Sequence, residues 1–336
     1  MQAAYYEGNK TIRIGTCDPV APQAGEVQLK VSHVGICGTD LHIYHGAMDK
    51  RVSFPQIMGH EMSGTVAAIG ADVSHVSVGD PVTVMPLDTT LCDPNDPYKH
   101  IGQQMKFMGI DTPGAFQSHW TVPAFTLHKL PASLSLKHGA LLEPLAVACH
   151  DVRLANLQAG EEAVVLGGGP IGMLVALVAK SHGAHVTLSE ISPYRIEFAK
   201  SLGLDAVNPK DQDLVAHIQD RTNSQGADVV FEVTGSAAGA TTMTKLPRIR
   251  GRIVVVGIHP NPNPVDLFQF FWKELELKGA RVYEDEDFEA AIQLADSGKL
   301  PLDKIITETR PLEDAQAAFE RMDAGSDVMK IVLELS

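Results

Sequence analysis

The spacing of hydrophobic and polar residues differs between the two halves of the chain. Before residue 150, short apolar or alternating runs are separated by Gly and Pro, which predicts short strands of an irregular antiparallel β domain. The stretch 1–14 alternates polar and apolar residues without a continuous apolar core, so it is interpreted as a first strand and not as a signal peptide. The further strands predicted in this half are 27–34, 64–70, 81–85 and 119–123.

From residue 163 onward, apolar strands alternate with amphipathic helices. The predicted strands are 163–166, 185–188, 206–207, 228–231, 252–256 and 275–282, and the predicted helices between them include 171–182, 193–202 and 211–222. This alternation predicts a parallel, doubly wound sheet. A third pattern consists of helix 287–297, strand 304–309, helix 312–324 and strand 328–334, and we interpret it as the chain returning to complete the first domain.

These patterns predict an α/β protein with two domains. A Rossmann domain with a doubly wound parallel sheet is expected over 149–284, and the β-rich domain is expected over 1–148, completed by 285–336. The chain has 336 residues, of which 44% are apolar, so it is long enough to build two substantial cores.

Charge and cysteine content narrow the possible partners. With 27 basic and 41 acidic side chains the net charge is −14, which argues against non-specific binding to nucleic acid or to an anionic membrane. No apolar run is long enough to span a bilayer. The four cysteines have no paired spacing, which indicates a reducing compartment, so a cytoplasmic location is expected.

The segment GGGPIG directly follows an apolar predicted strand and opens a predicted helix. Gly167, Gly169 and Gly172 would allow a tight turn, close approach of the backbone to a pyrophosphate, and close helix–strand packing. Pro170 and Ile171 begin the helix, whose N-terminus favours an anion. The segment therefore predicts a dinucleotide site, although the same glycines are also compatible with a tight turn alone.

The acidic residue Glu190 stands at the end of the next predicted strand. A carboxylate there can accept hydrogen bonds from an adenosine ribose, and it would repel a 2′-phosphate that has no adjacent base, so NAD is the predicted cofactor. The alternative is a solvated acid at a strand end. Arg195 would pack against the adenine, or it would be an ordinary helix-surface arginine.

Residues that can ligate a metal occur in the segments GICGTDLH, GHE and LEP of the first half. Cys37, His60 and Glu143 offer a thiolate, an imidazole and a carboxylate, a combination that suits Zn²⁺ with one open position. Each residue by itself has a simpler explanation, namely a buried small side chain, a satisfied polar residue and an acid at a helix start.

The segments GICGTDLHIYHG, GHEMSGTVAAIG, VGDPVTV, LLEPLAVACH and VLGGGPIG, in this order, resemble those of the medium-chain, zinc-dependent dehydrogenases. The resemblance extends over nearly the whole chain and is greatest to the sorbitol (polyol) and threonine dehydrogenase branch. It implies a GroES-like, zinc-binding catalytic domain beside the NAD-binding domain. It also implies a homodimer or homotetramer formed through the apolar stretch 267–272 and strand 275–282, with burial of this stretch inside a monomer as the alternative.

The resemblance makes Cys37 and His60 zinc ligands and leaves the third ligand open. Glu143 stands where related alcohol dehydrogenases have a second cysteine, whereas Glu61 corresponds to a direct ligand in the polyol branch. In the latter case Glu143 would reach the metal through water or contact the substrate. Asp40 is expected to accept the N–H of His60 and fix its tautomer, or alternatively to cap a helix.

The resemblance also implies a proton path and further cofactor contacts. Thr39 and His42 correspond to a hydroxyl and an imidazole that relay a proton, with a partly exposed surface histidine as the alternative for His42. The remaining expected cofactor contacts are Thr234, Val256, Gly257 and Ile258, in the loops 233–236 and 256–258. Both loops follow predicted strands, where open α/β sheets bind ligands. Simple strand-end structure is the alternative for both.

The chain departs from the family pattern after the VGDPVTV segment. Relatives commonly have four closely spaced cysteines there that bind a structural zinc. In this chain the stretch 85–97 contains Cys92 alone, and one thiol cannot build a tetrahedral Cys₄ site. We therefore expect one catalytic zinc per subunit and no structural zinc.

The combined observations predict a zinc-dependent oxidoreductase that transfers a hydride between a secondary alcohol and NAD. A polyol, a vicinal diol or an amino alcohol would satisfy the site, in which zinc acts as a Lewis acid on the hydroxyl. The alternatives are a zinc-free NADPH-dependent quinone or enone reductase on the same scaffold and a non-catalytic NAD(H)-binding protein. Cys37, His60 and Glu190 argue against the reductase, and the presence of every candidate ligand argues against the loss of catalysis.

Overall fold

The structure is a computed structural model that describes residues 1–325 and 327–335. The chain divides into two units. Unit 1 consists of Met1–Glu143, Ala291–Gly298 and Leu302–Ser336, and unit 2 consists of Pro144–Ala290 and Lys299–Pro301.

The strands are β1 (Gln2–Tyr6), β2 (Ile12–Thr16), β3 (Glu26–Gly35), β4 (Gln56–Ile57), β5 (Glu61–Ile69), β6 (Pro81–Val84), β7 (Leu87–Asp88), β8 (Lys106–Phe107), β9 (His119–Pro123), β10 (Leu127–Lys129), β11 (Glu162–Leu166), β12 (His185–Ser189), β13 (Asp205–Val207), β14 (Ala227–Glu232), β15 (Pro247–Val255), β16 (Glu276–Gly279), β17 (Ile306–Pro311) and β18 (Lys330–Glu334). The α-helices are α1 (Gly38–Tyr44), α2 (Leu136–Gly139), α3 (Leu142–Leu154), α4 (Pro170–Ser181), α5 (Pro193–Ser201), α6 (Leu214–Arg221), α7 (Ala237–Thr242), α8 (Leu267–Lys273), α9 (Asp285–Asp296), α10 (Leu302–Ile305) and α11 (Ala315–Ala324).

Unit 1 is built around the long strand β3. The main sheet has the order β10-β6-β5-β3-β18-β17, and β9 also pairs with β3. Pairing is antiparallel except between β17 and β18, which run parallel. Val27, Leu29 and Val31 alternate along β3 and are fully buried, as expected for a strand with one face on a core. The C-terminal strands β17 and β18 complete this sheet, as the third sequence pattern predicts.

Unit 2 contains a parallel sheet with the order β13-β12-β11-β14-β15-β16. Its central strand β11 is almost completely buried, because helices cover both faces of such a sheet. After β11, the chain first adds β12 and β13 on one side of this strand and then adds β14, β15 and β16 on its other side. Ligands of open α/β sheets bind at the carboxyl ends of the strands beside such a reversal. The α/β fold class, with a doubly wound sheet and a β-rich GroES-like unit, is confirmed.

Several predicted elements differ in detail from the observed ones. The stretch 1–14 forms the hairpin strands β1 and β2, not a single strand. The predicted strand 304–309 begins only at Ile306, because 302–305 form the short helix α10. The predicted strand 275–282 ends at Gly279, and helix 312–324 starts with a 3₁₀ turn. Each difference lies where local propensity is weak and long-range pairing decides.

No helix among the described residues combines the length and the apolar character needed to cross a membrane.

Candidate active site

The first part of the candidate site lies where β3 passes into α1. Cys37 is the N-cap residue of α1, and its backbone N–H donates to the carboxylate of Asp40, with Oδ2 at 2.9 Å. Asp40 is fully buried, and its other oxygen lies 3.7 Å from Nδ1 of His60. Asp40 therefore caps the helix and faces His60, but 3.7 Å is too long for a hydrogen bond, so its acceptance of the His60 N–H stays a prediction.

His60 and Glu61 enter the site at the start of β5. Glu61 pairs in register with Gly35 of β3. A Cβ at Gly35 would lie 2.2 Å from a carboxylate oxygen of Glu61, so only glycine leaves room for this side chain. Both His60 and Glu61 are buried. The β3–β5 pairing thus holds the acidic side chain against the loop that carries Cys37.

Cys37, His60 and Glu61 form a potential metal site. One ligand atom of each residue lies within 4.8 Å of the others. His60 lies beside Cys37 in this group, and its buried Nδ1 has no hydrogen-bond partner. A thiolate, an imidazole and a carboxylate are ligands that Zn²⁺ accepts, so the residues present fit a zinc ion.

Lys330, which the sequence analysis did not identify, belongs to the same cluster. Its ammonium group donates to Glu61 Oε1 at 2.7 Å and to the carbonyl oxygen of Ile36 at 3.1 Å. The residue is 2% exposed. The sequence does contain one indication of this residue, because Lys330 is a single lysine within an otherwise apolar run that includes Val332. A fully buried lysine is rare unless it is paired, so such a lysine predicts a buried acidic partner.

Burial and charge shift the pKa values of these groups. Burial raises the pKa of the Cys37 thiol and that of the Asp40 carboxyl. For His60, burial lowers the pKa, but Asp40 and Cys37 outweigh it and hold the pKa well above its usual value. Burial also lowers the pKa of Lys330, and Glu61 and Cys37 outweigh it, so this pKa is raised. The buried cluster has an excess of acidic groups, an arrangement that favours a bound cation.

The other predicted catalytic residues surround this cluster. Glu143, in the first turn of α3, is 4% exposed, and its charge raises the pKa values of His60 and Lys330. Within the described residues, Glu143 is not in the group whose ligand atoms lie within 4.8 Å of one another. Thr39 is half-buried and His42 is exposed, both in α1.

The glycine-rich turn of unit 2 has the geometry of a close strand-to-helix connection. Gly167 has a φ of +102°, in the left-handed region that glycine tolerates. A Cβ at Gly172 would lie 1.9 Å from the carbonyl oxygen of Gly167, so a larger residue would open the turn. Gly169 is the N-cap of α4, and Pro170 occupies its first turn, followed by Ile171.

Glu190 is buried, and its carboxylate accepts hydrogen bonds from three backbone N–H groups. Its carboxylate accepts from Gly168 at 2.8 Å, from Ile191 at 2.7 Å and from Ser192 at 2.8 Å. The guanidinium of Arg195 lies 3.8 Å from the same carboxylate, and its buried Nε has no hydrogen-bond partner. The premise that no base stands next to Glu190 is therefore wrong, because the first turn of α5 brings Arg195 back towards the carboxylate.

The remaining predicted cofactor residues lie at the carboxyl ends of two neighbouring strands. Thr234 follows β14, and Val256, Gly257 and Ile258 follow β15. The backbone N–H groups of Val256 and Gly257 both donate to the carbonyl oxygen of Glu232 at 2.8 Å. The loop after β15 is thus hydrogen-bonded to the last residue of β14.

A second acidic and histidine cluster, in unit 2, is an ion-pair network. His150, Glu284 and Asp287 lie close enough to hold a metal. Arg153, however, donates to Asp287 at 2.6 Å and also pairs with Glu284. In the part of the chain that the structure describes, Cys92 belongs to neither metal-ligand group, and its Sγ lies 3.8 Å from the carbonyl oxygen of Lys99.

Known protein families match both units. Residues 23–132 match the alcohol dehydrogenase GroES-like domain, and residues 170–297 match the zinc-binding dehydrogenase domain. The chain belongs to the zinc-dependent medium-chain alcohol dehydrogenase family, as predicted. It is an oxidoreductase of the alcohol and polyol dehydrogenase type.

Individual relatives cover nearly the whole chain. It is 56% identical to 2-dehydro-3-deoxy-L-galactonate 5-dehydrogenase of Pseudoalteromonas atlantica, over 99% of this chain and 98% of that protein. It is 36% identical to L-threonine 3-dehydrogenase of Pyrococcus horikoshii, over 92% and 91% of the two chains. The crystal structure of 2R,3R-butanediol dehydrogenase from Bacillus subtilis matches with a TM-score of 0.92 and 34% identity, over 99% of both chains.

Proposed function

We propose that the protein is a zinc- and NAD-dependent dehydrogenase of a secondary alcohol. The observation that carries this proposal is the buried cluster of Cys37, His60 and Glu61, whose ligand atoms lie within 4.8 Å of one another. The reaction converts the alcohol and NAD⁺ into the ketone, NADH and a proton.

Cys37 and His60 would hold one zinc ion, with Glu61 or Glu143 as the third protein ligand and no structural zinc elsewhere. Zinc bound there supplies Lewis acidity that favours ionisation of the substrate hydroxyl. Lys330 forms an ion pair with Glu61. The carboxylate of Glu61 would therefore have two positively charged partners, this ammonium group and the zinc ion. Glu143 would then contact the substrate or a water molecule when Glu61 holds the ion.

The residues of α1 would carry the released proton towards solvent. Thr39 is half-buried and His42, three residues later, is exposed, so the two lie one turn apart on the same helix. Thr39 would accept the proton from the substrate hydroxyl, and His42 would pass it to water. This route uses a hydroxyl that both donates and accepts and an imidazole that can bind and release a proton.

In unit 2, Gly167, Gly169 and Gly172 would place the α4 N-terminus, with Pro170 and Ile171, against the pyrophosphate of NAD. Glu190 would accept the adenosine ribose hydroxyls, and Arg195 would cover the adenine. NAD supplies the hydride acceptor. We propose NAD in preference to NADP because the buried carboxylate of Glu190 is held at the turn by the backbone N–H of Gly168, at 2.8 Å.

For the substrate, the relative at 56% identity supports a sugar acid. We propose 2-dehydro-3-deoxy-L-galactonate, or a sugar acid of that type, in preference to a simple diol or threonine. The test compares initial rates of NADH formation with this acid, 2,3-butanediol, xylitol and L-threonine. We expect kcat/KM for the acid to exceed the others by about tenfold or more. Equal rates with butanediol would contradict the substrate, and activity after complete removal of zinc would contradict the metal.

We also propose that subunits associate as homodimers or homotetramers in the cytoplasm. Strand β16 is the exposed edge of the parallel sheet, and the adjoining helix α8 exposes Leu267, Phe268, Phe271 and Trp272. This stretch is therefore not buried within the monomer, and an exposed apolar edge supports pairing with a second copy.

The four cysteines are free thiols, which supports the reducing location.

A further inference from the structure

Glu232, the last residue of β14, is a fully buried carboxylate that the mechanism above does not use. One oxygen accepts from the backbone N–H of Thr234 at 3.0 Å and from the hydroxyl of the same residue. The other accepts from the N–H of Gly235 at 3.3 Å and from Nε2 of His259 at 2.8 Å. Four donors fill the four lone-pair sites of a carboxylate, so its burial costs little.

His259 is the donor that comes from the other loop. It directly follows Ile258, while the remaining three donors belong to the loop after β14. Nδ2 of Asn263 lies 2.8 Å from Nδ1 of His259. Because Nε2 donates to the carboxylate and Nδ1 accepts from the amide, the neutral imidazole with its proton on Nε2 satisfies both contacts.

The two loops also touch backbone to backbone. A Cβ at Gly235 would lie 2.3 Å from the carbonyl oxygen of Ile258, and a Cβ at Gly257 would lie 2.3 Å from the backbone nitrogen of Gly235. Glu232 therefore connects the two loops through both its backbone and its side chain. Its carbonyl oxygen accepts from the N–H groups of Val256 and Gly257. Its carboxylate accepts from the loop after β14 and from His259 of the other loop.

We propose that Glu232 and His259 are positioning residues that hold the loops 233–236 and 256–259 at the spacing that the nicotinamide half of NAD requires. This inference rests on the proposed NAD-dependent function and on the expectation that these loops contact the cofactor. Glu190, which would bind the adenosine ribose, follows β12, whereas these loops follow β14 and β15 on the other side of β11, so they are assigned to the nicotinamide half. Neither side chain needs to touch the cofactor. A loop pair held in place before binding loses less conformational entropy when the ligand arrives.

The test compares the affinities of His259→Leu and His259→Gln for NADH and for ADP-ribose, which lacks the nicotinamide. We expect His259→Leu to weaken NADH binding by about tenfold, because it removes a hydrogen bond to a buried charge. ADP-ribose should bind as in the unchanged protein. His259→Gln keeps an N–H at a similar reach, and we expect it to restore NADH affinity to within about threefold.

The matched control is His217→Leu. His217 donates to Asp205 at 2.8 Å, its side chain is 20% exposed against 19% for His259, and it lies in the same unit away from both loops. We expect no change in either affinity. If His259→Leu does not fold, Asn263→Ala, which frees Nδ1 of the imidazole, should give a smaller loss of NADH affinity alone.

The outcomes separate this inference from the proposed function. Unchanged NADH affinity in His259→Leu, an equal loss for ADP-ribose, or no recovery in His259→Gln would overturn the positioning role. If the unchanged protein bound neither NADH nor ADP-ribose, the proposed function itself would fail.

Discussion

Lys330 shows how one buried charge shapes the metal site. Its ammonium group donates to the carboxylate of Glu61 and to the carbonyl oxygen of Ile36. A buried ion pair adds little net stability, but removing one partner leaves the other charge unpaired at a high cost. A zinc ion bound by Glu61 would carry the compensating charge instead. Lys330 therefore matters most when the metal is absent.

Replacing Lys330 by Gln should destabilise the metal-free protein more than the zinc-loaded protein. We expect the metal-free form to lose about 3 kcal/mol of unfolding free energy, because the carboxylate of Glu61 loses its counter-charge. Urea unfolding with and without zinc measures both values. Lys30→Gln, an exposed lysine on β3, is the control and should change neither. Equal losses in the two forms would argue against a metal at Glu61.

Under the proposed function, Glu190 and Arg195 would together decide which cofactor binds. Glu190→Ala should raise the Kd for NADH by about tenfold through loss of the ribose hydrogen bonds. Rejection of NADP should relax as well, because Arg195, 3.8 Å away, would face the 2′-phosphate without a competing carboxylate. Glu197→Ala removes an exposed acid on α5 and should leave both affinities unchanged. An unaltered preference for NAD would contradict the ribose role.

At the level of elements, the buried ion-pair network joins α3 to the first turn of α9. Asp287 is 1% exposed and accepts from His150 at 2.7 Å and from Arg153 at 2.6 Å. Burial raises its pKa, but the hydrogen bonds from Arg153 and His150 outweigh burial and hold the pKa well below the usual value. Its contribution to stability is therefore complete above the unfolded pKa of about 4 and is lost as the pH falls below it.

Asp287→Asn should cost about 2 kcal/mol of stability at neutral pH, since it removes charge-assisted hydrogen bonds. The difference from the unchanged protein should shrink as the pH falls below about 4, because the carboxyl of the unfolded chain is protonated there while the folded one, whose pKa is lowered, stays ionised until lower pH. Urea unfolding at neutral and acid pH measures it. Glu289→Gln, an exposed acid on the same helix, should have no effect at either pH. A constant difference across this range would contradict the assigned pKa shift.

The edge strand β16 and the helix α8 form the surface expected to pair subunits. Trp272 is 69% exposed and stacks on Phe268 with ring centroids 5.9 Å apart. Trp272→Glu should convert the oligomer into a smaller species, because a charge would be desolvated at the interface. Light scattering after gel filtration measures the mass. Val78→Glu, at an exposed apolar residue of unit 1, should leave it unchanged. An unaffected mass in Trp272→Glu would place the interface elsewhere.

The elements of unit 2 were the most predictable. Strands buried on both faces, such as β11 and β14, appear as continuous apolar runs, and glycines mark their ends. In unit 1, the two-residue strands β7 and β8 and the short helix α10 escaped prediction, because distant pairing partners define such short elements more than local sequence does.

The residues of the candidate site could be predicted where a side chain that can ligate a metal stands close to a glycine in the sequence. Cys37, His60 and Glu61 stand in short recognisable segments, and the structure brings them together. Lys330 lies 269 residues from Glu61, so only the sheet order β5-β3-β18 reveals their contact. The Glu232–His259 pair was missed for a similar reason, since Glu232 ends β14 and His259 lies in the loop after β15.

At the scale of the whole molecule, the proposed function assigns one reaction to residues of both units. Unit 1 contributes the ligand cluster with its buried lysine, and unit 2 contributes the glycine-rich turn, Glu190 and the two linked loops. One family model matches residues 23–132 and another matches residues 170–297, so each unit contains a domain of this family. The central claim is that a single zinc ion, held by Cys37 and His60, is needed for turnover but not for cofactor binding.

The most direct test measures zinc content, alcohol oxidation and NADH affinity in the unchanged protein and in Cys37→Ala. We expect one zinc per subunit in the unchanged protein. In Cys37→Ala, zinc and activity should both be lost, while NADH affinity stays within about threefold, because the ligand and the nucleotide turn lie in different units. Full activity in protein that contains no divalent metal, or in Cys37→Ala, would contradict the account.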